Sequence, residues 1–283
     1  MSTIQYSSPT VSIRRVWPKF ETREQARENR DHLVRQLRNG DRSAQLFADK
    51  LAKCRTHHRC GSSICPICVR ALRRWFICRA FACIDELQAL NGGGLEGKIV
   101  RFSAIPRDEA YRFGDLDGAD LQRLNGRLQK QFERAGLPLV FAGVDVSLNL
   151  FKNRMDAARW QFHVYGLVIG RTEEAVDEAL SALYPPGKRV RSPLHVKPCT
   201  GLGAVLSYCI KPYFSRRSGY RDDGTGRRNN RGQPLNGAQA REIAVWFDQF
   251  RLADRYVLRG CRKQGDSIVV SPRAKAELLN IAT

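Results

Sequence analysis

Apolar residues recur along this chain at two spacings, three-to-four in some stretches and two in others, and the switches between them lay out its elements. Over 69–90, Phe76, Ala80, Cys83, Ile84 and Leu87 return at three and four, which predicts an amphipathic helix. Asn91-Gly92-Gly93-Gly94 ends it. Upstream, Leu33, Leu37, Leu46, Phe47 and Leu51 are spaced for helices broken near Gly40-Asp41. Residues 98–105 read as a strand stopped by Pro106, and 117–135 as a helix carrying Leu121, Leu124, Leu128 and Phe132 on one face. Strands are expected over 139–148 and 159–169, joined as an antiparallel hairpin by a polar loop containing Asn153 and Asp156. A helix over 172–183, a strand over 189–196 and a short helix over 201–210, bounded by Pro212, complete the run.

The order β-α-β-β-α-β-α predicts an α+β fold, an antiparallel sheet with helices on one face in a ferredoxin-like arrangement. Three parts are expected: a helical, cysteine-bearing module at 1–95, the sheet core at 96–214, and a basic loop and C-terminal helix at 215–283. In that last part Arg216, Arg217, Arg221, Arg227, Arg228 and Arg231 stand among Gly, Asn and Ser, a pattern expected of a flexible basic loop. A helix anchored by Ile243, Val245, Trp246, Phe250 and Leu252 is expected over 238–258.

Composition sharpens the picture. Hydrophobic residues make up 42% of the 283, enough for a buried core, so wholesale disorder is excluded. Lys and Arg total 48 against 28 Asp and Glu, a net charge of +20 that favours a polyanionic partner, because each phosphate neutralised releases condensed counterions. No stretch approaches a transmembrane span and residues 1–11 are polar, unlike a signal peptide, so a cytoplasmic protein with no membrane partner is expected. In a reducing compartment, nine cysteines point to metal ligation or buried thiols.

Four of those cysteines cluster. Cys54, Cys60, Cys65 and Cys68, the last two in Cys-Pro-Ile-Cys, can close a tetrahedral structural Zn²⁺ site. His57 or His58 in place of Cys54 is the alternative. The following Arg70, Arg73 and Arg74 are positioned to meet phosphate.

Two further segments carry chemistry. On the strand over 159–169, Gln161, His163 and Tyr165 share one face, and Asp145 on the partner strand can join them. A carboxylate, an amide oxygen and an imidazole suit Mg²⁺ or Mn²⁺. In Tyr208-Cys209-Ile210-Lys211, the tyrosine and lysine are three apart on a helix and face the same side, with Tyr213 as a competing nucleophile.

These segments resemble, in order, the motifs of rolling-circle replication initiators of the HUH endonuclease superfamily, the single-tyrosine branch of plasmids and single-stranded DNA phages. Ile99 to Pro106 resembles the first motif, Gln161-Phe162-His163 stands where the family has two histidines around a hydrophobic residue, and Tyr208-Cys209-Ile210-Lys211 matches Tyr-x-x-Lys. A Cys-Pro-x-Cys knuckle upstream of the core also recurs in plasmid initiators. The likeness covers roughly 54–214, and Gln161 departs from it.

The resemblance implies a metal-dependent nickase and strand transferase. Tyr208 would form a 5′-phosphotyrosine on single-stranded origin or hairpin DNA with Lys211 assisting, near the bacterial nucleoid and alongside a host polymerase or helicase. The altered ligand leaves a second expectation open: a catalytically inactive regulator of a mobile element, built on the same scaffold and binding duplex DNA. An RNA-binding sheet is a third, weakened by the few aromatics on the central strands. No Gly-x4-Gly-Lys-[Ser/Thr] loop is present, so a P-loop helicase domain is not expected.

Overall fold

The computed structural model describes residues 12–92, 94–151, 154–187, 190–219 and 232–280. Helices α1 (Ile13–Val16), α2 (Arg23–Arg38) and α3 (Arg42–Ala52) precede the cysteine cluster. α2 opens on a reciprocal capping box between Thr22 and Gln25, and Asp41 caps α3 by accepting from the Ala44 N–H. α4 (Pro66–Leu90) starts earlier than its apolar periodicity suggests, because Pro66 occupies the first turn, where a missing N–H is harmless.

The central elements follow the expected order: β1 (Ile99–Ala104), α5 (Leu121–Arg134), β3 (Leu139–Phe151), β4 (Arg154–Ile169), α6 (Glu173–Ser181), β5 (Leu194–Pro198) and α7 (Leu202–Cys209), with the short β2 (Ala110–Arg112) after β1. Strands β5-β1-β4-β3 lie side by side and antiparallel, the ferredoxin-like split order. The fold is thus α+β. β5 begins later than expected, after Pro193, whose carbonyl accepts from Ile105 at 2.8 Å.

The C-terminal part differs from its sequence reading. Residues 215–219 form β6 (Ser215–Gly219), which runs parallel to β3 and pairs with β7 (Gly232–Pro234), so Arg216 and Arg217 lie on a strand. Arg221, Arg227, Arg228 and Arg231 lie outside the described residues. The helix expected to reach 258 stops early as α8 (Gly237–Asp248). A 3₁₀ turn, Leu252–Arg255, and β8 (Tyr256–Arg259) follow. Tyr256 to Leu258 are aromatic and apolar residues that fit a strand, and β8 takes up the free edge of β3 at Val140 to Gly143. The hairpin β9 (Cys261–Gln264) and β10 (Ser267–Val270) and helix α9 (Pro272–Asn280) close the chain.

Helices cover both faces of the sheet, more than the single layer expected. On one face Phe132 of α5 meets Phe102, and Trp246 of α8 meets Phe162. On the other, Phe76 of α4 meets Phe141, and α7 lies across β3 and β4. One apolar core runs through all of these elements, from Ile13 to Leu278. No helix among the described residues is long and apolar enough to cross a membrane.

Candidate functional site

The close seat of α7 depends on a glycine. A Cβ built at Gly143 would lie 1.7 Å from the Cys209 carbonyl oxygen, so only a bare backbone lets the helix approach β3 this closely. From behind, buried Arg73 of α4 donates to Ser207 Oγ at 2.8 Å and pairs with Glu21 at 2.8 Å. Arg73, expected to meet phosphate, is therefore spent inside the protein. Arg70 is half-buried over the Phe20 ring, with its Nε on the Glu21 carbonyl, and Arg74 is half-buried as well.

Held this way, α7 presents Tyr208 outward, 57% exposed, with its ring edge-on to Tyr165 at 5.8 Å. Lys211, just past the helix, folds back so that its Nζ lies 4.3 Å from the Tyr165 centroid and 5.3 Å from that of Tyr208. The same ammonium donates to Asp145 Oδ2 at 2.5 Å. Burial alone would lower the Lys211 pKa, but the Asp145 carboxylate, aided by Tyr165, outweighs it and raises it. Lys211 is thus a fixed cation beside the exposed phenol.

The strand register sets Asp145 opposite His163 and Ser147 opposite Gln161, so the expected residues do share a face. Their bonds run to protein groups. His163 Nε2 lies 2.9 Å from Ser147 Oγ, and Gln161 Nε2 donates to the Glu109 carbonyl at 3.1 Å. Burial, then the positive charges of Arg217 and Lys211, push His163 down to about 3, so its imidazole is neutral at ordinary pH. Arg217 stands opposite Asn149 on this face of the sheet, whereas Arg216 is on the other. Asp145 Oδ1 is buried without a hydrogen-bond partner.

Lys211 therefore engages one oxygen of the Asp145 carboxylate and Ser147 one nitrogen of the His163 imidazole. Among the described residues, Asp145 and His163 belong to no group of three or more His, Cys, Asp or Glu whose ligand atoms lie close together. Tyr213, the competing tyrosine, is 68% exposed and lines a cavity bounded by α2 and α8.

The cysteines do converge. The ligand atoms of Cys54, Cys60, Cys65 and Cys68 lie within 4.8 Å of one another, and this set could hold a metal ion. His57 and His58 are exposed and outside it. The Sγ atoms of Cys54 and Cys60 are 3.6 and 3.7 Å from that of Cys68, and the Cys60 N–H points at Cys54 Sγ. Hydrogen bonding with Cys54, Cys60 and Cys68, then burial, raises the Cys65 thiol well above its ordinary range. Four mutually close sulfurs, three of them buried, fit a closed tetrahedral site of the Zn²⁺ kind. Because Cys65 caps α4 and Cys68 lies in its first turn, the cluster fixes the start of the helix that clamps α7.

Two contributors had no sequence signature. Ser147 gave no reason to be singled out on its strand. Arg255 sits in the stretch expected as a helix over 238–258, where nothing singles it out. It is nonetheless 1% exposed, donates to the Lys211 and Ser63 carbonyls, and so ties the C-terminal part to both the lysine and the cysteine loop. Burial lowers it to about 10, leaving it protonated at neutral pH.

Comparison with protein-family models, with curated proteins and with solved structures yields no match.

Proposed function

We propose that this protein binds single-stranded DNA and nicks and rejoins it through Tyr208. The observation that carries the reading is the exposed phenol of Tyr208, with the Lys211 ammonium fixed between it and the buried Asp145. A phenol attacks a phosphodiester only if the phosphate is drawn in and its charge is offset. Lys211, kept protonated by Asp145, supplies that charge, with Arg217 adding to it on the same face. The phenolic oxygen bonds to phosphorus, the bond to the 3′ oxygen breaks, and the 3′ oxygen takes up a proton while the phenol loses one. The 5′-phosphotyrosine keeps the ester energy, so the free 3′ hydroxyl can be extended by a host polymerase and later rejoined without ATP.

The net charge of +20 supports a polyanionic partner. A Zn²⁺ ion at Cys54, Cys60, Cys65 and Cys68 would be structural, fixing α4 and through it α7. Mg²⁺ or Mn²⁺ would meet Asp145 through Oδ1, which has no hydrogen-bond partner, while Lys211 holds Oδ2 and Ser147 engages His163 Nε2. The test is incubation with labelled single-stranded oligonucleotides, with and without Mn²⁺, followed by a search for a denaturation-resistant adduct that Tyr208→Phe abolishes.

A second reading has its own observation. Because Asp145, His163 and Gln161 are all bonded to protein groups, the same scaffold could serve as a non-enzymatic regulator on duplex DNA. It is favoured if the protein binds duplex DNA tightly, forms no adduct with any divalent ion, and is indifferent to Tyr208→Phe.

A further inference from the structure

A cavity of about 390 Å³ is walled by α2, α8, the paired strands β6 and β7 and the segment that follows Lys211. Pro212, Tyr213 and Phe214 carry the chain from Lys211 along its wall into β6. Phe214 stacks on Phe247 with centroids 4.8 Å apart, which makes it a fixed part of that wall. Tyr213 is mostly exposed, so its ring is available at the rim.

The opposite wall is one strip of α2. Asn29, His32, Leu33 and Gln36 all line the cavity, at the three-and-four spacing of a single helix face. Leu33 is buried and, with Ile243, forms an apolar floor. Asn29 and His32 are exposed, and half-buried Gln36 donates from Nε2 to the Leu235 carbonyl at 3.4 Å, which leaves its Oε1 toward that floor's edge as an acceptor.

The chemistry suits a flat heteroaromatic ring. An apolar floor takes its faces, an exposed aromatic side chain stacks on it, and amides pair with the donor and acceptor pattern of a base edge. Most of the cavity surface is carbon, which disfavours a phosphate as its occupant. Phosphates adjoining such a base would have Lys211 and Arg217 within the same neighbourhood of the chain.

We propose that this cavity holds one unpaired base of the bound DNA strand, near the nucleotide whose phosphate meets Tyr208. The inference rests on the single-stranded DNA reading above and adds a base-reading pocket to it. The pocket gives the protein a sequence preference that the basic surface alone cannot supply.

The test is selection of binding sequences by the full-length protein from a pool of random single-stranded oligonucleotides without added divalent ions. Wild type should enrich one base strongly at one position. An abasic site placed there should weaken binding at least tenfold. Asn29→Ala/Gln36→Ala and, separately, Tyr213→Ala should lose that preference and become insensitive to the abasic site, with unchanged melting temperatures. Wild-type enrichment that survives in both variants overturns the pocket and leaves the DNA reading standing. Absence of single-strand binding by wild type overturns both. Enrichment of duplex or hairpin sequences with no abasic-sensitive position also overturns the pocket.

Discussion

Lys211 and Asp145 meet at 2.5 Å between the tyrosine helix and β3, and among the described residues neither forms another salt bridge. The lysine is a residue of the loop after α7, the aspartate a residue of the sheet, so the bridge fixes the distance between the tyrosine helix and the sheet. Removing one partner of a buried pair leaves the other uncompensated. Lys211→Met should therefore lower the unfolding free energy by about 3 kcal/mol. Asp145→Asn in the same chain should recover much of that loss in urea denaturation. If the single substitution is neutral, the pair does not hold the site together.

His163 gives a pH dependence with a definite sign. Its folded-state pKa, about 3, lies below the ordinary value of 6.5, so the unfolded chain binds the extra proton first. The stabilisation from a neutral buried imidazole is complete above pH ~6.5 and is lost as pH falls toward 3, at up to ~1.4 kcal/mol per pH unit. His163→Gln removes this group. The stability difference between wild type and variant should shrink steadily on acidification, and a gap that stays constant from pH 7 to pH 4 would contradict the assignment.

Gly143→Ala tests the docking of α7 without touching any charged group. The added methyl meets the Cys209 carbonyl oxygen, so the helix must shift, at a cost of about 1–3 kcal/mol. Adduct formation should fall by at least tenfold while bound metal stays at the wild-type level. Equal adduct yields in variant and wild type would show that the position of α7 is unimportant.

Metal removal probes the cysteine cluster. The purified protein should carry one tetrahedral metal ion per chain, lost in Cys65→Ser and Cys68→Ser and kept in Cys78→Ser and His57→Ala. Loss should lower the melting temperature and weaken DNA binding together, because α4 starts at these ligands and clamps α7 through Arg73. Metal analysis by absorption spectroscopy alongside thermal melts decides it; a metal-free protein of full stability would refute the structural role.

The central α+β order was legible because its helices and strands keep clean periods, as with Leu121, Leu124, Leu128 and Phe132 on α5 or Trp160, Phe162 and Val164 on β4. The shared face of Asp145, Gln161 and His163 followed from alternation and a correct hairpin register. What the sequence hid was tertiary. A strand such as β8 exists because β3 has an open edge, not because its own pattern demands it over a helix. Arg73 and Arg255 look like surface cations in sequence, and only the carbonyls, Glu21 and Ser207 that gather around them show that they are structural. Likewise, the spacing of Asp145 and His163 could suggest a divalent site, but it could not show that Lys211 and Ser147 already engage them.

The most direct measurement is the covalent one. Wild-type protein is incubated with labelled single-stranded oligonucleotides carrying its selected sequence, then denatured and resolved by size. The expected result is a labelled protein band that proteolysis maps to a peptide containing Tyr208, absent in Tyr208→Phe and strongly reduced in Lys211→Met. A band that persists in Tyr208→Phe and maps to Tyr213, or no band with any divalent ion, would contradict the assignment of Tyr208 as the nucleophile.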